Sequence, residues 1–77
     1  MKIKITLHDF ESIRKFIQKV VLFESDVNII KGATVFDAKS VMSLFALGSL
    51  NEVFTEIISD NEEEISRFNR DMEEFKA

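Results

Sequence analysis

A chain of 77 residues, 45% hydrophobic and 31% charged, has room for one domain around one small core, which excludes a large enzyme, a disordered chain and a collagen-like one. With no Cys there is no disulfide framework, thiolate metal site or catalytic thiol, and His8 is the only imidazole. The net charge of −4 sits entirely in residues 60–77, where seven carboxylates face three cations; without a basic stripe the chain repels a phosphate backbone, which excludes nucleic acid as a partner.

Lys2 to Leu7 alternates strictly, Ile3, Ile5 and Leu7 on one face and Lys2, Lys4 and Thr6 on the other, which predicts a strand covered on one side. The period then lengthens. Phe10, Ile13, Ile17 and Val20 recur at helical spacing opposite Glu11, Arg14, Lys15 and Lys19, and Asp9 is placed to cap the helix start through the Asp9-x-x-Ser12 segment. Glu24 to Ile30 and Ala33 to Phe36 flank Lys31-Gly32 and read as a hairpin, Gly32 supplying a positive φ. A short apolar helix is predicted from Val41 to Leu47, capped by Ser40 and stopped by Gly48. Asn51-Glu52 reads as a turn and Val53 to Ile58 as a fourth strand. Asp60 with Glu63 forms a capping box for a last helix carrying Ile65, Phe68, Met72 and Phe75 on one stripe. The run Glu62-Glu63-Glu64 suits the positive end of that helix and reads as a solvated face.

The order β-α-β-β-α-β-α implies a single α+β domain over residues 1–77, an open-faced two-layer sandwich of a four-stranded antiparallel sheet with three helices on one face. Without staples, a core this small holds about 3 to 5 kcal/mol. No apolar run approaches the ~18 residues that span a bilayer, and Met1-Lys2-Ile3-Lys4 leads into the alternating strand rather than a signal-peptide core. The chain is therefore expected to be cytoplasmic and away from membranes.

Asp26-Val27-Asn28, Asp37-Ala38-Lys39-Ser40-Val41-Met42 and Leu47-Gly48 resemble the HPr family, the small phosphocarriers of the bacterial sugar phosphotransferase system. The resemblance implies the same element order and marks Ser40 as the regulatory serine that a bifunctional kinase/phosphorylase modifies in that family. It also implies a docking surface for partner proteins on the short helix, here Lys39, Val41, Met42, Leu44, Phe45 and Leu47. The family's phosphohistidine lies in a G-I-H-A-R-P-A motif, and family spacing from the serine places Asp9 in that histidine's position. The stretch Leu7-His8-Asp9-Phe10-Glu11-Ser12-Ile13 lacks the glycine, the proline and the arginine. A phosphoryl group needs amides and a cation around it, and Asp9 and Glu11 supply carboxylates instead. His8 also continues the solvated face of the first strand at period two.

The leading expectation is thus an HPr-like protein without phosphohistidine transfer, a regulatory protein-binding module that is not itself an enzyme. Its expected partners are phosphotransferase-system enzymes, HPr kinase/phosphorylase or a transcriptional regulator. Two rivals remain open: a working phosphocarrier using a displaced His8, and a structural or oligomeric module that keeps only the fold. No metal or cofactor site is expected, because one His and two Gly support neither ligand spacing nor a phosphate loop. A monomer or weak homo-oligomer fits the chain.

Overall fold

Alternation in Ile3–Leu7 makes β1, in which Ile5 and Leu7 are fully buried while Lys4 faces solvent. The computed structural model describes residues 2–40 and 50–76, and of residues 50 and 51 the backbone only. After β1 come α1 (Phe10–Val20), β2 (Asp26–Lys31), β3 (Thr34–Asp37), β4 (Leu50–Ile58) and α2 (Glu62–Asp71), and a 3-10 turn closes the chain at Met72–Phe75. The predicted helix from Val41 to Leu47 lies outside the described residues, so the described chain has two α-helices where three helices were expected over the whole chain.

The sheet runs β1-β4-β2-β3, and every neighbouring pair is antiparallel. β4 is therefore central, pairing Ile3 with Thr55 on one side and Ile29 with Thr55 on the other. One face of the sheet carries Ile5, Leu7, Val27, Ile29, Val53 and Ile57 into the core, where α1, α2 and the 3-10 turn add Phe16, Phe68, Met72 and Phe75. Two edge-to-face ring pairs lock these layers: Phe16 on Phe75 and Phe23 on Phe68, each with centroids 5.7 Å apart. Among the described residues, Thr55 is the buried polar residue of this face, and its hydroxyl donates to the carbonyl of Asn28 at 3.0 Å. The other face stays open, as a sheet covered on one side requires.

Several local expectations shift by a residue or two. The buried stripe of α1 is Ile13, Phe16, Ile17 and Val20, whereas Phe10, the helix's first residue, is exposed. The anticipated turn at Asn51-Glu52 is instead a bulge inside β4. Ile5 stands opposite Val53 and Leu7 opposite Leu50, so β4 carries one extra residue there, and Glu52 takes a φ of 55°. A turn and a bulge both favour a left-handed residue, which is why the same two residues suggested the wrong one. The cap of α2 is Asn61 rather than Asp60. The Asn61 side chain accepts from the amides of Glu63 and Glu64 at 3.0 and 3.1 Å, and the Ser59 hydroxyl accepts the Asn61 amide, which sets the helix start one residue later. The last stripe does not continue as one α-helix, since the chain tightens to 3-10 geometry at Met72–Phe75 and so buries both Met72 and Phe75. Beyond it, Lys76 bridges to Ile5 and shields the outer edge of β1.

Gly32 opens the two-residue turn between Lys31 and Thr34 with a φ of 61°. A Cβ there would meet nothing within 4 Å, so the only penalty of a side chain is the left-handed backbone. Gly32→Ala is accordingly expected to lower stability by about 1 kcal/mol, read as a lower urea midpoint at unchanged slope. An unchanged midpoint would show that the turn relaxes to another geometry.

Candidate functional site

The buried end of β1 delivers the chain at Leu7 to His8 and Asp9, and α1 begins at once. Asp9 is extended (φ −141°, ψ 171°), which turns its carboxylate back over the helix start, where Oδ1 accepts the Ser12 amide at 2.7 Å. Its backbone carbonyl accepts from the Ile13 amide at 3.2 Å. One first-turn amide of α1, that of Ser12, is thus occupied by an anion belonging to the chain.

The Ser12 amide holds the Asp9 carboxyl below its ordinary range, with smaller help from the Ser12 hydroxyl and from the charges of His8 and Lys15. The carboxylate stays ionised. The imidazole Nε2 of His8 lies 3.5 Å from Asp9 Oδ2, and both side chains are more than half exposed. In the same first turn, Glu11 accepts from Nε of Arg14 at 3.2 Å and, in close contact, from one of its terminal nitrogens. That hydrogen-bonded pair depresses the Glu11 carboxyl and raises Arg14. The guanidinium nearest the helix start is therefore engaged by a carboxylate of its own turn.

The second sequence-marked position, Ser40, follows β3 in a turn that is pinned from three sides. Ser40 donates its amide to the Asp37 carbonyl at 3.0 Å, and the Asp37 carboxylate accepts the Lys39 amide at 2.9 Å. Ala38 is buried and donates to the Val27 carbonyl of β2 at 2.8 Å. The Lys39 ammonium reaches across to the Phe23 carbonyl at 2.6 Å, tying this turn to the connection between α1 and β2. Ser40 itself is half-buried at the point where the chain leaves the sheet. The short helix it is expected to cap, and the expected docking residues Val41, Met42, Leu44, Phe45 and Leu47, lie outside the described residues.

No protein-family model matches the sequence, and no curated protein does. Among solved structures, the chain is similar to the crystal structure of HPr-C-His from Thermoanaerobacter tengcongensis, with a TM-score of 0.70. The two are 25% identical, and the match covers 96% of this chain and 91% of that one. The fold is HPr-like.

Within this HPr-like fold, one cluster escaped the sequence. Glu64, read as part of a solvated acidic run, accepts the Glu24 amide at 2.8 Å, the Ser25 hydroxyl in close contact and the Ser59 hydroxyl at 3.4 Å. It thereby joins the first turn of α2 to the two connections that precede β2 and α2. The Ser25 hydroxyl and the Glu24 amide pull its carboxyl below the ordinary range. Beside it, Arg67 stacks over the Phe23 ring at 4.5 Å. The only signal in the sequence was a Glu in the third helical position, which fits a capping interaction as well as a long-range one. Among the described residues no helix is long and apolar enough to cross a membrane, and no group of three His, Asp or Glu stands together as a metal site would require.

Proposed function

We propose that this chain is a regulatory, protein-binding relative of HPr in the phosphotransferase system, acting in the cytoplasm without passing phosphate through a histidine. The observation that carries the reading is the Asp9 carboxylate seated on the Ser12 amide, in the place where the family's spacing puts the phosphorylated imidazole. A phosphoryl dianion arriving at this helix start meets two carboxylates, Asp9 and Glu11, and an arginine already paired with Glu11. Like charges at that range raise the free energy of the phosphorylated state, and the Ser12 amide, which would help offset it, is taken by Asp9. His8 stands one residue before that position and serves as a solvated partner of Asp9.

The working surface is on the serine side. The turn Asp37 to Ser40 is held to β2 and to Phe23, so a modification at Ser40 changes charge on a fixed platform rather than rearranging a loose loop. A phosphate there adds close to two negative charges next to Lys39 in the chain. Lys39, Val41, Met42, Leu44, Phe45 and Leu47 are the residues proposed to meet a phosphotransferase-system enzyme, HPr kinase/phosphorylase or a transcriptional regulator. The chain performs no catalysis of its own in this reading.

Incubation with ATP and an HPr kinase/phosphorylase tests the serine side. Mass spectrometry of tryptic peptides is expected to find one phosphate on Ser40, absent in Ser40→Ala. Failure of the kinase to modify Ser40, or modification only at another residue, would contradict this part of the proposal.

A further inference from the structure

The uncovered face of the sheet is neither uniformly polar nor evenly charged. The registers place Lys4 beside Phe54, Phe54 beside Ile30 and Ile30 beside Val35, one row across all four strands. Phe54 and Val35 are 41% and 59% exposed, and Ile58, at the end of the same face of β4, is 52% exposed. In the adjacent row Glu56 pairs with Asn28 and Asn28 with Asp37, while Lys2 stands one step beyond the Ile3–Thr55 pair, on the same side as Glu56. The face therefore has a cationic edge at β1 (Lys2, Lys4), an acidic residue on the far edge strand (Asp37), and between them an apolar row through Phe54 and Ile30 beside a polar row of Glu56 and Asn28.

We propose that this face binds the same face of a second copy of the chain, in a two-fold dimer whose axis runs parallel to the strands. Charge decides both the partner and the axis. Turning one copy about an axis along the strands lays its β1 over β3 of the other, so Lys2 meets Asp37 of the second copy, twice, by symmetry. The same turn sets Phe54 over Ile30 of the second copy and closes two apolar strips on each other at the spacing of packed sheets. An axis across the strands would put the lysine edges face to face, and like charges oppose that arrangement. The patch is small, so the dimer is weak and forms at high concentration.

Sedimentation velocity on the full chain from about 10 μM to about 1 mM reads this directly. A monomer–dimer equilibrium is expected, weakened at least about tenfold by Val35→Lys, which adds a charge at an exposed edge-strand position. Lys2→Ala and Asp37→Asn should each weaken it, and the double variant no more than either one, because they remove the same ion pair; the Asn oxygen still accepts the Lys39 amide, so the turn is kept. On dilution of the unmodified chain, amide shifts should change at residues 28–30, 35–37 and 54–56. A monomer throughout the range, or a dimer indifferent to Val35→Lys with shifts confined to α1 and α2, would overturn the proposal.

Discussion

Phe68→Ala is expected to leave the chain largely unfolded at room temperature. Phe68 is fully buried, projects from α2 into the core and meets Phe23 edge to face, so truncation removes the ring's burial, the ring pair and the packing beside them. Truncating a buried Phe typically costs about 3 to 5 kcal/mol, and a core of this size holds about the same. Far-UV circular dichroism should show a lost or strongly broadened transition, while Leu22→Ala, at a residue 74% exposed, should change stability by no more than about 0.5 kcal/mol. A cooperative Phe68→Ala variant with a nearly unchanged midpoint would mean that the two helices do not share one core with the sheet.

The second large effect is at Glu64 and depends on pH. Its folded carboxyl titrates below its ordinary 4.5, because the Ser25 hydroxyl and the Glu24 amide favour the ionised form. The stabilisation it provides is therefore complete above the unfolded value and is lost as pH falls through the lower, folded one. Glu64→Ala should lower the thermal midpoint by several degrees at neutral pH, and the gap from the unmodified chain should narrow as pH falls below 4.5. Glu64→Gln is expected to fall between them, because its single amide oxygen can accept the Glu24 amide while the Ser25 hydroxyl turns to accept from its NH₂. That variant should also lose the acid dependence that belongs to this group. A gap of equal size at neutral and acid pH would place the effect in packing rather than in the charged hydrogen bonds. Asp9 adds an acid-sensitive contribution of the same sign, since the Ser12 amide depresses it too.

These two residues mark what was legible in advance. Asp9 and Ser12 are three positions apart, so the cap could be read from the sequence and is present as expected. The two nearest partners of Glu64, at Ser25 and Glu24, lie 39 and 40 positions back in the chain, and only the antiparallel closure of β2 on β4 brings them to it. The strands and the hairpin followed from alternation and from Gly32, whereas the central place of β4 is a fact of topology that no local period encodes. Apolar residues on both sides of β4, Val53 and Ile57 inward and Phe54 and Ile58 outward, concealed which face was open until the registers were known. Phe10 and Phe16 both fit a helical stripe, and only the helix start at Phe10 decides that Phe16 is the one inside. On the functional side, the departure at Asp9 could be read against the resemblance, but the pairing of Arg14 with Glu11, which engages the nearest guanidinium, needed coordinates.

Incubation with phosphoenolpyruvate and the general phosphotransferase enzyme, followed by intact-mass and peptide analysis at alkaline pH to preserve phosphohistidine, tests the central claim most directly. The chain is predicted to gain no phosphate while a conventional HPr in the same tube is fully labelled. A phosphate recovered on His8, absent from His8→Ala, would contradict the account.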